Sequence, residues 1–187
     1  MDDEMKYIEI VKNWILEDEF RLECLHVAAS LIDTDWYISA GFVRNMIWDK
    51  LQGHKKRTSL NDVDLIYLDA SNISSERDLQ LQNNLIKAMS SCNWSVKNQA
   101  RMSLKHGHEP YKNCVDAMSY WPEIQTAIGV TLTPEETLNV ISPFSAKEVI
   151  KLSATRNPKC TSNVFQSRVI EKDWVKLWPD LKIEAVF

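Results

Sequence analysis

The sequence predicts an α+β fold in which a mixed β-sheet is flanked by helices. Two apolar stripes with helical spacing occupy residues 4–32. After them, a short apolar segment ends at Gly41, and a helical pattern begins at residue 42. A second strand-like segment, residues 62–68, is apolar on both faces beyond its first residues, which is typical of a strand covered on both sides. Together these patterns indicate a sheet packed between helices.

The N-terminal segment is predicted to form two helices. Its apolar residues recur every three or four positions, the spacing that places side chains on one face of a helix. The first stripe consists of Ile8, Val11 and Ile15, and the second of Leu22, Leu25, Ala29 and Ile32. We expect residues 1–34 to pack as a helical layer beside the sheet.

Gly41 lies where a strand is predicted to become a helix. Residues 37–40 are short and partly β-branched, as in a buried strand. From residue 42 the apolar positions change to helical spacing, at Val43, Met46, Ile47 and Leu51. A glycine at this junction lets a ligand approach the backbone, and the free N–H groups of a helix N-terminus favour phosphate. The junction is therefore a candidate phosphate site.

Two aspartates begin the second predicted strand. Side chains two residues apart in a strand point to the same side, so Asp62 and Asp64 share a face. Neighbouring carboxylates repel each other unless a proton or a cation intervenes. Mg²⁺ prefers carboxylate oxygens and takes nucleotide phosphates as further ligands. The pair therefore predicts a divalent-cation site.

The middle of the chain predicts a crossover connection in a mixed sheet. Ser75 followed by Asp78 is typical of a helix start, and apolar spacing extends that helix to about residue 91. Residues 94–102 then alternate between two faces and are predicted to form a strand. A strand, a helix and a strand of this length fit a crossover within one sheet.

The following segments predict two more strands and a helix. Residues 126–132 and 138–141 are expected to pair around a turn. Ser145 with Glu148 forms a capping box, in which the two side chains satisfy the first free N–H groups of a helix. That helix is predicted to extend through residue 152.

The C-terminal part is predicted to form one helix and a tail. Residues 164–177 carry apolar side chains at helical spacing, and Pro179 ends the pattern. Arg168 on this helix is interpreted as a surface residue that could also face a ligand. Residues 181–187 are expected to dock as an extended segment.

Length and composition suit one domain. The chain has 187 residues, of which 44% are hydrophobic, so it can bury a substantial core. Within this single domain, residues 1–34 are assigned to the N-terminal helical layer. Residues 36–152 are assigned to the catalytic-type sheet and its helices, and residues 160–187 to the C-terminal helix and tail.

Charge and cysteine spacing restrict the partners and the location. The formal net charge is −4, which disfavours long nucleic acid because surfaces that bind it are usually basic. No apolar run approaches the length of a membrane-spanning helix, so no membrane partner is expected. The four cysteines show no C-x-x-C spacing, which favours reduced thiols and a cytoplasmic protein.

Two segments together resemble a known signature. Gly41-Phe42-Val43-Arg44, a helix, and then Asp62-Val63-Asp64 resemble the signature of the polymerase-β-type nucleotidyltransferases. Within that superfamily they are similar to the head domain of tRNA-CCA-adding enzymes and poly(A) polymerases, whose motif is Gly-Gly-x-Val-Arg-Asp followed by Asp-x-Asp. Ala40 and Asn45 depart from that motif. Residues 96–102 and Trp121-Pro122-Glu123 resemble a bacterial group of small nucleotidyltransferase-like proteins of unassigned substrate, and this resemblance covers the whole chain.

The resemblance implies a nucleotidyltransferase-like mixed sheet and roles for individual residues. It implies that Asp62 and Asp64 bind Mg²⁺ or Mn²⁺ and are catalytic. Residues 114–118 resemble the Thr-Ile-Asn-Ala-Leu of CCA-adding heads, which makes Asp116 a further catalytic candidate. The nucleotide-binding residues that the resemblance implies are Gly41, Phe42, Arg44, Asn98 and Arg101.

A third carboxylate is not evident in the sequence. Active members of the superfamily carry one on the strand beside Asp-x-Asp, whereas residues 94–101 contain no acid. Lys97 and Asn98 occupy the positions where it is expected. An amide cannot act as a general base near neutral pH. We therefore expect slow turnover, unless Asp116 or Glu109 reaches the site from the following segment.

Three functions remain open from the sequence. The first is Mg²⁺-dependent transfer of a nucleotidyl group from an NTP to a hydroxyl acceptor, either a small molecule or a protein. The second is a degenerate nucleotide-binding or sensor module of the same fold, catalytically weak or inactive. The third is a structural or interaction protein. NTP binding would separate the first two functions from the third, and turnover would separate the first from the second.

Two other polar segments each have two interpretations. Lys55, Lys56 and Arg57 directly precede the aspartates, where they either contact phosphate or form a solvated face. His106 and His108 lie beside glycine and proline and are interpreted as part of a polar loop rather than as metal ligands.

Overall fold

A five-stranded mixed sheet forms the centre of the computed structural model, which describes residues 3–185. Its strands are β1 (Trp36–Ser39), β2 (Val63–Tyr67), β3 (Trp94–Asn98), β4 (Gly129–Leu132) and β5 (Leu138–Ile141). They lie in the order β3-β2-β1-β4-β5. β2 and β3 are parallel, and the other neighbouring strands are antiparallel. The predicted α+β class with a mixed sheet is confirmed.

Helices surround this sheet, and a parallel two-stranded sheet joins the C-terminal segments. The small sheet pairs β6 (Ser153–Thr155) with β7 (Lys182–Glu184). No helix among residues 3–185 combines the length and apolarity needed to cross a membrane. The α-helices are α1 (Asp3–Leu16), α2 (Glu19–Leu31), α3 (Gly41–Gln52), α4 (Ser75–Ala88), α5 (Gln99–His106), α6 (Cys114–Met118), α7 (Ala146–Val149), α8 (Ser162–Lys172) and α9 (Trp174–Leu177).

β2 is covered on both faces, as predicted for an interior strand. It lies between β1 and β3 in the sheet. On one face, Val63, Leu65 and Tyr67 belong to the main hydrophobic core, to which α1, α2, α3 and α4 also contribute. On the other face, Ile66 belongs to a smaller apolar cluster with Tyr37. Because its neighbours are fixed on both sides, β2 holds Asp64 in a defined position, whereas Asp62 is exposed and directly precedes the strand rather than beginning it as predicted.

β3 is shorter than the predicted strand over residues 94–102. It ends at Asn98, and α5 begins at the next residue. The Asn98 side chain accepts a hydrogen bond from Ala100 N at 3.0 Å, so it caps the helix. Asparagine is among the preferred N-cap residues, and here this preference overrides the alternating pattern that extended the predicted strand.

The predicted C-terminal helix is divided into two. Thr161 accepts a hydrogen bond from Val164 N, and α8 begins at residue 162. Asp173 has φ 45° and ψ 42°, a left-handed conformation that separates α8 from α9. The apolar spacing continues across this break, so the sequence pattern did not show it. β7 docks the tail in an extended form, as expected, while residues 186–187 lie outside the described residues.

Three tryptophans attach the C-terminal segment to α3. The ring of Trp48 lies 5.4 Å from that of Trp174 and 5.0 Å from that of Trp178, edge-on in both cases. Trp178 Nε1 donates a hydrogen bond to Asp49 Oδ1 at 2.8 Å. Each edge-on aromatic pair contributes about 0.5–1.5 kcal/mol beyond area burial. These contacts hold α9 beside α3, where the candidate site lies.

Candidate functional site

A cavity of about 310 Å³ opens where β1 passes into α3 and where β2 begins. Three regions far apart in sequence form its wall: the start of α3, the start of β2, and the two C-terminal helices α8 and α9. Its lining includes Gly41 and the charged residues Arg44, Asp62, Asp64, Arg168 and Lys172. Four of the predicted site residues are therefore brought together.

The turn at Ala40 and Gly41 positions the first turn of α3. Ala40 has φ 56° and ψ −124°, a conformation uncommon for a residue with a Cβ. Its carbonyl accepts hydrogen bonds from Val43 N at 3.2 Å and Arg44 N at 2.9 Å. A Cβ at Gly41 would lie 3.4 Å from Arg44 Nη2. Glycine therefore keeps this side of the guanidinium open, and no described side chain caps the helix.

Replacing Ala40 with glycine is expected to stabilise the protein by about 1 kcal/mol. A non-glycine residue at this kind of backbone conformation costs about 1–3 kcal/mol, of which the freedom of glycine in the unfolded chain offsets about 0.4–1 kcal/mol. Urea unfolding measures the change. Gly53→Ala is the matched control, because Gly53 has φ 78° at the other end of α3 and alanine should destabilise there. Equal or lower stability for Ala40→Gly would show that the turn is unstrained.

Arg44 is a buried cation that forms no ion pair within residues 3–185. The residue is 8% exposed. Its guanidinium donates to Thr126 Oγ1 at 2.8 Å and to Asn45 Oδ1 at 2.9 and 3.2 Å. It also lies 5.0 Å from the ring of Trp48 and 4.9 Å from that of Trp174. Burial lowers the pKa of Arg44 to about 10, which leaves it charged at neutral pH. Since buried charges are normally paired, this one suits an anionic ligand.

The two aspartates line the same cavity. Asp64 lies on β2 opposite Ser39 of β1 and Ser95 of β3. Burial, and after it the charge of Asp62, raises the pKa of Asp64, while the Ser95 hydrogen bond and the charge of Arg44 lower it. A cation beside the pair would offset the repulsion and favour the ionised form.

The donor set of this pair suits Mg²⁺ better than a closed protein metal site. Among residues 3–185, no three His, Cys, Asp or Glu side chains converge as metal ligands. Mg²⁺ is usually held by one or two carboxylates together with substrate phosphates, whereas structural Zn²⁺ takes four protein ligands. Asp62 and Asp64 therefore fit Mg²⁺ when a nucleotide supplies further oxygens.

Two cations reach the cavity from α8. Arg168 and Lys172 are four residues apart, so they share one helix face. Arg168 is paired with Glu123, which is fully buried and accepts from Arg168 Nη2 at 3.2 Å. The Arg168 side chain is 29% exposed and lines the cavity, and its orientation toward a ligand stays a prediction. The spacing of the two cations beside Trp174 was the available sequence signal. Glu123 lies in a segment that carries the family resemblance, but the sequence assigned it no role.

Four residues with predicted roles do not line this cavity. Phe42 is fully buried in the core, and its carbonyl accepts from Arg21 Nε at 2.7 Å. Asn98 is fully buried and caps α5. It pairs with Tyr67 in the sheet, so its side chain lies on the face opposite to that of Asp64. The other two are Arg101, paired with Asp78, and Asp116, which accepts from Lys112 N at 3.0 Å. Their roles in binding or catalysis stay predictions.

The basic loop before the aspartates packs on α2. Arg57 lies 3.6 Å from Asp18 and 3.7 Å from the centre of the Phe20 ring. Lys55 and Lys56 are exposed and line a different surface hollow together with Arg57. The solvated-face interpretation is therefore the one that the structure supports.

The predicted polar loop begins later than expected, because His106 is the last residue of α5 and only His108 lies in the loop. His108 Nδ1 lies 2.5 Å from the hydroxyl of Tyr111. Its ring also lies 4.4 Å from that of Tyr120. These contacts hold His108 among aromatic neighbours.

The fold and the site together define a domain of the nucleotidyltransferase type, with a glycine turn before a helix and an Asp-x-Asp pair where the next strand begins. A family model described as Nucleotidyltransferase matches residues 26–183. The chain belongs to this nucleotidyltransferase family.

A solved structure supports the same conclusion. It is described as "The NMR structure of the protein reveals a CCA-adding enzyme head domain". The two chains are 26% identical, and their structures superpose with a TM-score of 0.81 over 94% of this chain and 95% of the other. A search of curated proteins gives no match. The predicted resemblance is confirmed, and the family and fold support nucleotidyl transfer as the function.

Proposed function

We propose that the protein transfers a nucleotidyl group from an NTP to an acceptor oxygen in a reaction that depends on Mg²⁺, or on Mn²⁺ in its place. The acceptor belongs to a small molecule or a protein rather than to long nucleic acid. The observation that carries this proposal is Arg44, a buried guanidinium that forms no ion pair with any described residue and lies in the same cavity as Asp62 and Asp64. One cavity thus offers a cation for phosphate and two carboxylates for a metal ion.

The start of α3 is suited to hold the triphosphate. Gly41 leaves space beside the backbone, and the helix N-terminus carries a partial positive charge. The guanidinium of Arg44 is fixed by Thr126 and Asn45, so it would need little reorganisation when a phosphate binds. Lys172 also lines the cavity and adds positive charge.

Asp62 and Asp64 are the residues that would hold the metal ion. A divalent cation between carboxylates and phosphates stabilises the charge that develops on the transferring phosphoryl group. β2 fixes the direction of the Asp64 side chain, and Asp62 lies close enough to supply the second carboxylate. We also place the protein in the cytoplasm, because Cys24, Cys92, Cys114 and Cys160 are all free thiols.

The alternative function is a nucleotide-binding or sensor module with little or no turnover. It is favoured by one observation: within residues 3–185, no third metal-binding side chain joins the two aspartates. The two functions differ in whether the NTP is consumed.

Turnover with labelled NTPs distinguishes them. The protein is incubated with Mg²⁺, a metabolite extract and each of ATP, GTP, CTP and UTP labelled at the α-phosphate. We expect the label to move to a new compound, with release of pyrophosphate, and we expect EDTA to stop the transfer. Mg²⁺-dependent binding of an NTP without any transfer or pyrophosphate release would instead favour the sensor module.

A further inference from the structure

A second cavity adjoins the first at Asp64. Its volume is about 270 Å³, and it shares Asp64 and Arg168 with the first cavity. Apolar and aromatic side chains form part of its wall, namely Ile66, Met102, Trp121 and Pro122. Lys97 and His106 add polar groups. Apolar surface with a few placed polar groups is typical of a small-molecule site, and this one adjoins the predicted metal site.

Lys97 stands where a third carboxylate is expected. In the parallel register, Ser95 pairs with Asp64 and Lys97 pairs with Ile66. Alternation along β3 therefore places Ser95 and Lys97 on the same face as Asp64, and Asn98 on the other. Lys97 is exposed, and no carboxylate among the described residues lies within ion-pairing distance of its amine. The strand beside the aspartates thus presents a hydroxyl and a cation instead of an acid.

Among the charges that line this cavity, that of Asp64 interacts with Lys97. The charge of Arg168 is balanced by the buried Glu123. Asp64 is the only carboxylate among the described residues that line the cavity, and in the proposed function it holds the metal ion. The ammonium group of Lys97 is therefore available to an anionic group of a ligand.

The chemistry of the attacking atom follows from this charge. A hydroxyl must lose its proton when it attacks phosphorus, so it benefits from a general base. A phosphate or carboxylate oxygen is already ionised at neutral pH and needs no base. A cation beside it adds attraction where a carboxylate would repel it.

We propose that the second cavity binds the acceptor, and that the attacking atom is an ionised phosphate or carboxylate oxygen of a small, partly apolar molecule. This inference rests on the proposed function. The acceptor oxygen forms a bond to the α-phosphorus, the bond from that phosphorus to the bridging oxygen of the β-phosphate breaks, and its electron pair leaves with pyrophosphate. No proton or redox equivalent is transferred. The product is an anhydride of the nucleotide with a phosphate or an acyl group.

A thermal-shift series tests the acceptor class separately from the NTP. The protein is first mixed with Mg²⁺ and the α,β-methylene analogues of ATP, GTP, CTP and UTP, which tests the proposed function alone. Phenyl phosphate, phenylacetate and benzyl alcohol are then titrated with and without the analogue that binds best. A ligand that binds only the native state raises the unfolding midpoint. We expect the anions to bind at least about tenfold more tightly than benzyl alcohol.

Two substitutions sharpen the test. Lys97→Gln is expected to weaken anion binding by about tenfold and to leave analogue binding unchanged, whereas Lys105→Gln, at an exposed position outside the cavity, should change neither. Lys97→Glu should abolish anion binding. Pyrophosphate release from the cleavable NTPs then identifies the acceptor: phenyl phosphate yields a phosphoanhydride, and phenylacetate an acyl nucleotide.

The results that would overturn this inference are distinct from failure of the proposed function. If the analogues bind but benzyl alcohol binds as well as the anions, the acceptor is not an oxyanion. The same conclusion follows if Lys97→Glu increases pyrophosphate release with benzyl alcohol, because an acid at this position would then act as the missing base. If no analogue binds, the proposed function fails, and the titrations without nucleotide still measure the anion preference.

Discussion

Replacing Asp62 and Asp64 together with asparagine is expected to lower nucleotidyl transfer by about 10²–10³-fold. A metal ion contributes several kcal/mol of charge stabilisation in the transition state, and each 1.4 kcal/mol or so corresponds to a factor of ten in rate. Asparagine has nearly the same shape as aspartate but no charge, so the cavity keeps its form while the metal ligands are lost. Initial rates of pyrophosphate release at saturating Mg²⁺ measure the effect.

The same double substitution is expected to raise the stability of the metal-free protein at neutral pH. The pKa of Asp64 is raised in the folded state, so ionisation of this carboxyl destabilises the fold. This penalty is absent below the unfolded pKa near 4, where the carboxyl is protonated in both states, and it develops as pH rises through the folded pKa. We expect a gain of about 0.5–2 kcal/mol at pH 7, a size typical of substitutions that relieve such strain, and a smaller gain at pH 4 or with Mg²⁺ and NTP.

Asp33→Asn is the control for both measurements. The Asp33 side chain is 87% exposed and lies 3.6 Å from Arg77, outside the candidate site. It should change neither the rate nor the stability measurably. Full activity in the double variant would show that these carboxylates do not hold the metal ion, and reduced stability at pH 7 would show that they serve the fold instead.

Replacing Arg44 with glutamine is expected to weaken NTP binding by about 10–100-fold. A hydrogen bond to a charged group contributes about 1.5–3 kcal/mol, and the guanidinium can offer two such bonds to one phosphate. Arg44→Lys keeps the charge but loses the planar pair of donors, so an intermediate loss is expected. Because Arg44 forms no ion pair with the described residues, no carboxylate is left unpaired and the fold should remain stable. Calorimetric titration with each NTP and Mg²⁺ measures the affinities.

Arg101→Gln should show the opposite pattern. Arg101 forms an ion pair with Asp78, whose side chain is 5% exposed, so its loss leaves a buried carboxylate with neutral partners only. We expect a destabilisation of about 1–3 kcal/mol and an unchanged NTP affinity of the folded protein. If Arg101→Gln weakened NTP binding as much as Arg44→Gln, the nucleotide-binding role predicted for Arg101 would be correct and the proposed position of the triphosphate would have to be revised.

The local part of this site could be predicted from the sequence. Gly41, Arg44, Asp62 and Asp64 lie within one strand-helix-strand segment, where the change of apolar period marks the turn and the two-residue spacing fixes a shared face. These short-range relationships depend on backbone geometry alone.

The distant part of the site could not be predicted in the same way. Thr126 reaches Arg44 from the segment before β4, which pairs with β1. Arg168 reaches the cavity from α8, which precedes the helix that the tryptophans of α3 and α9 hold in place. A helix face with cations four residues apart is typical of any solvated helix. Only the tertiary contacts show that this one faces a cavity.

The position expected for a third carboxylate could not be assigned from the sequence, because it depends on the register between β2 and β3. From the sequence, Lys97 and Asn98 were equal candidates, because a shift of one residue exchanges the two faces of a strand. The pairing of β2 with β3 places Lys97 on the face of Asp64 and turns Asn98 into the cap of α5. The side chain of Asn98 ends β3 through a local hydrogen bond that caps α5. A pattern of apolar residues contains no information about such a bond.

Calorimetric titration of the wild-type protein with ATP, GTP, CTP and UTP tests the central claim most directly. Each titration is performed with Mg²⁺, again in EDTA, and again with the Asp62→Asn, Asp64→Asn variant in Mg²⁺. We predict that at least one triphosphate binds in Mg²⁺, and that EDTA and the double substitution each weaken this binding strongly. Failure of all four to bind, or equal binding in EDTA and in the variant, would contradict a metal-dependent nucleotide site at Asp62 and Asp64.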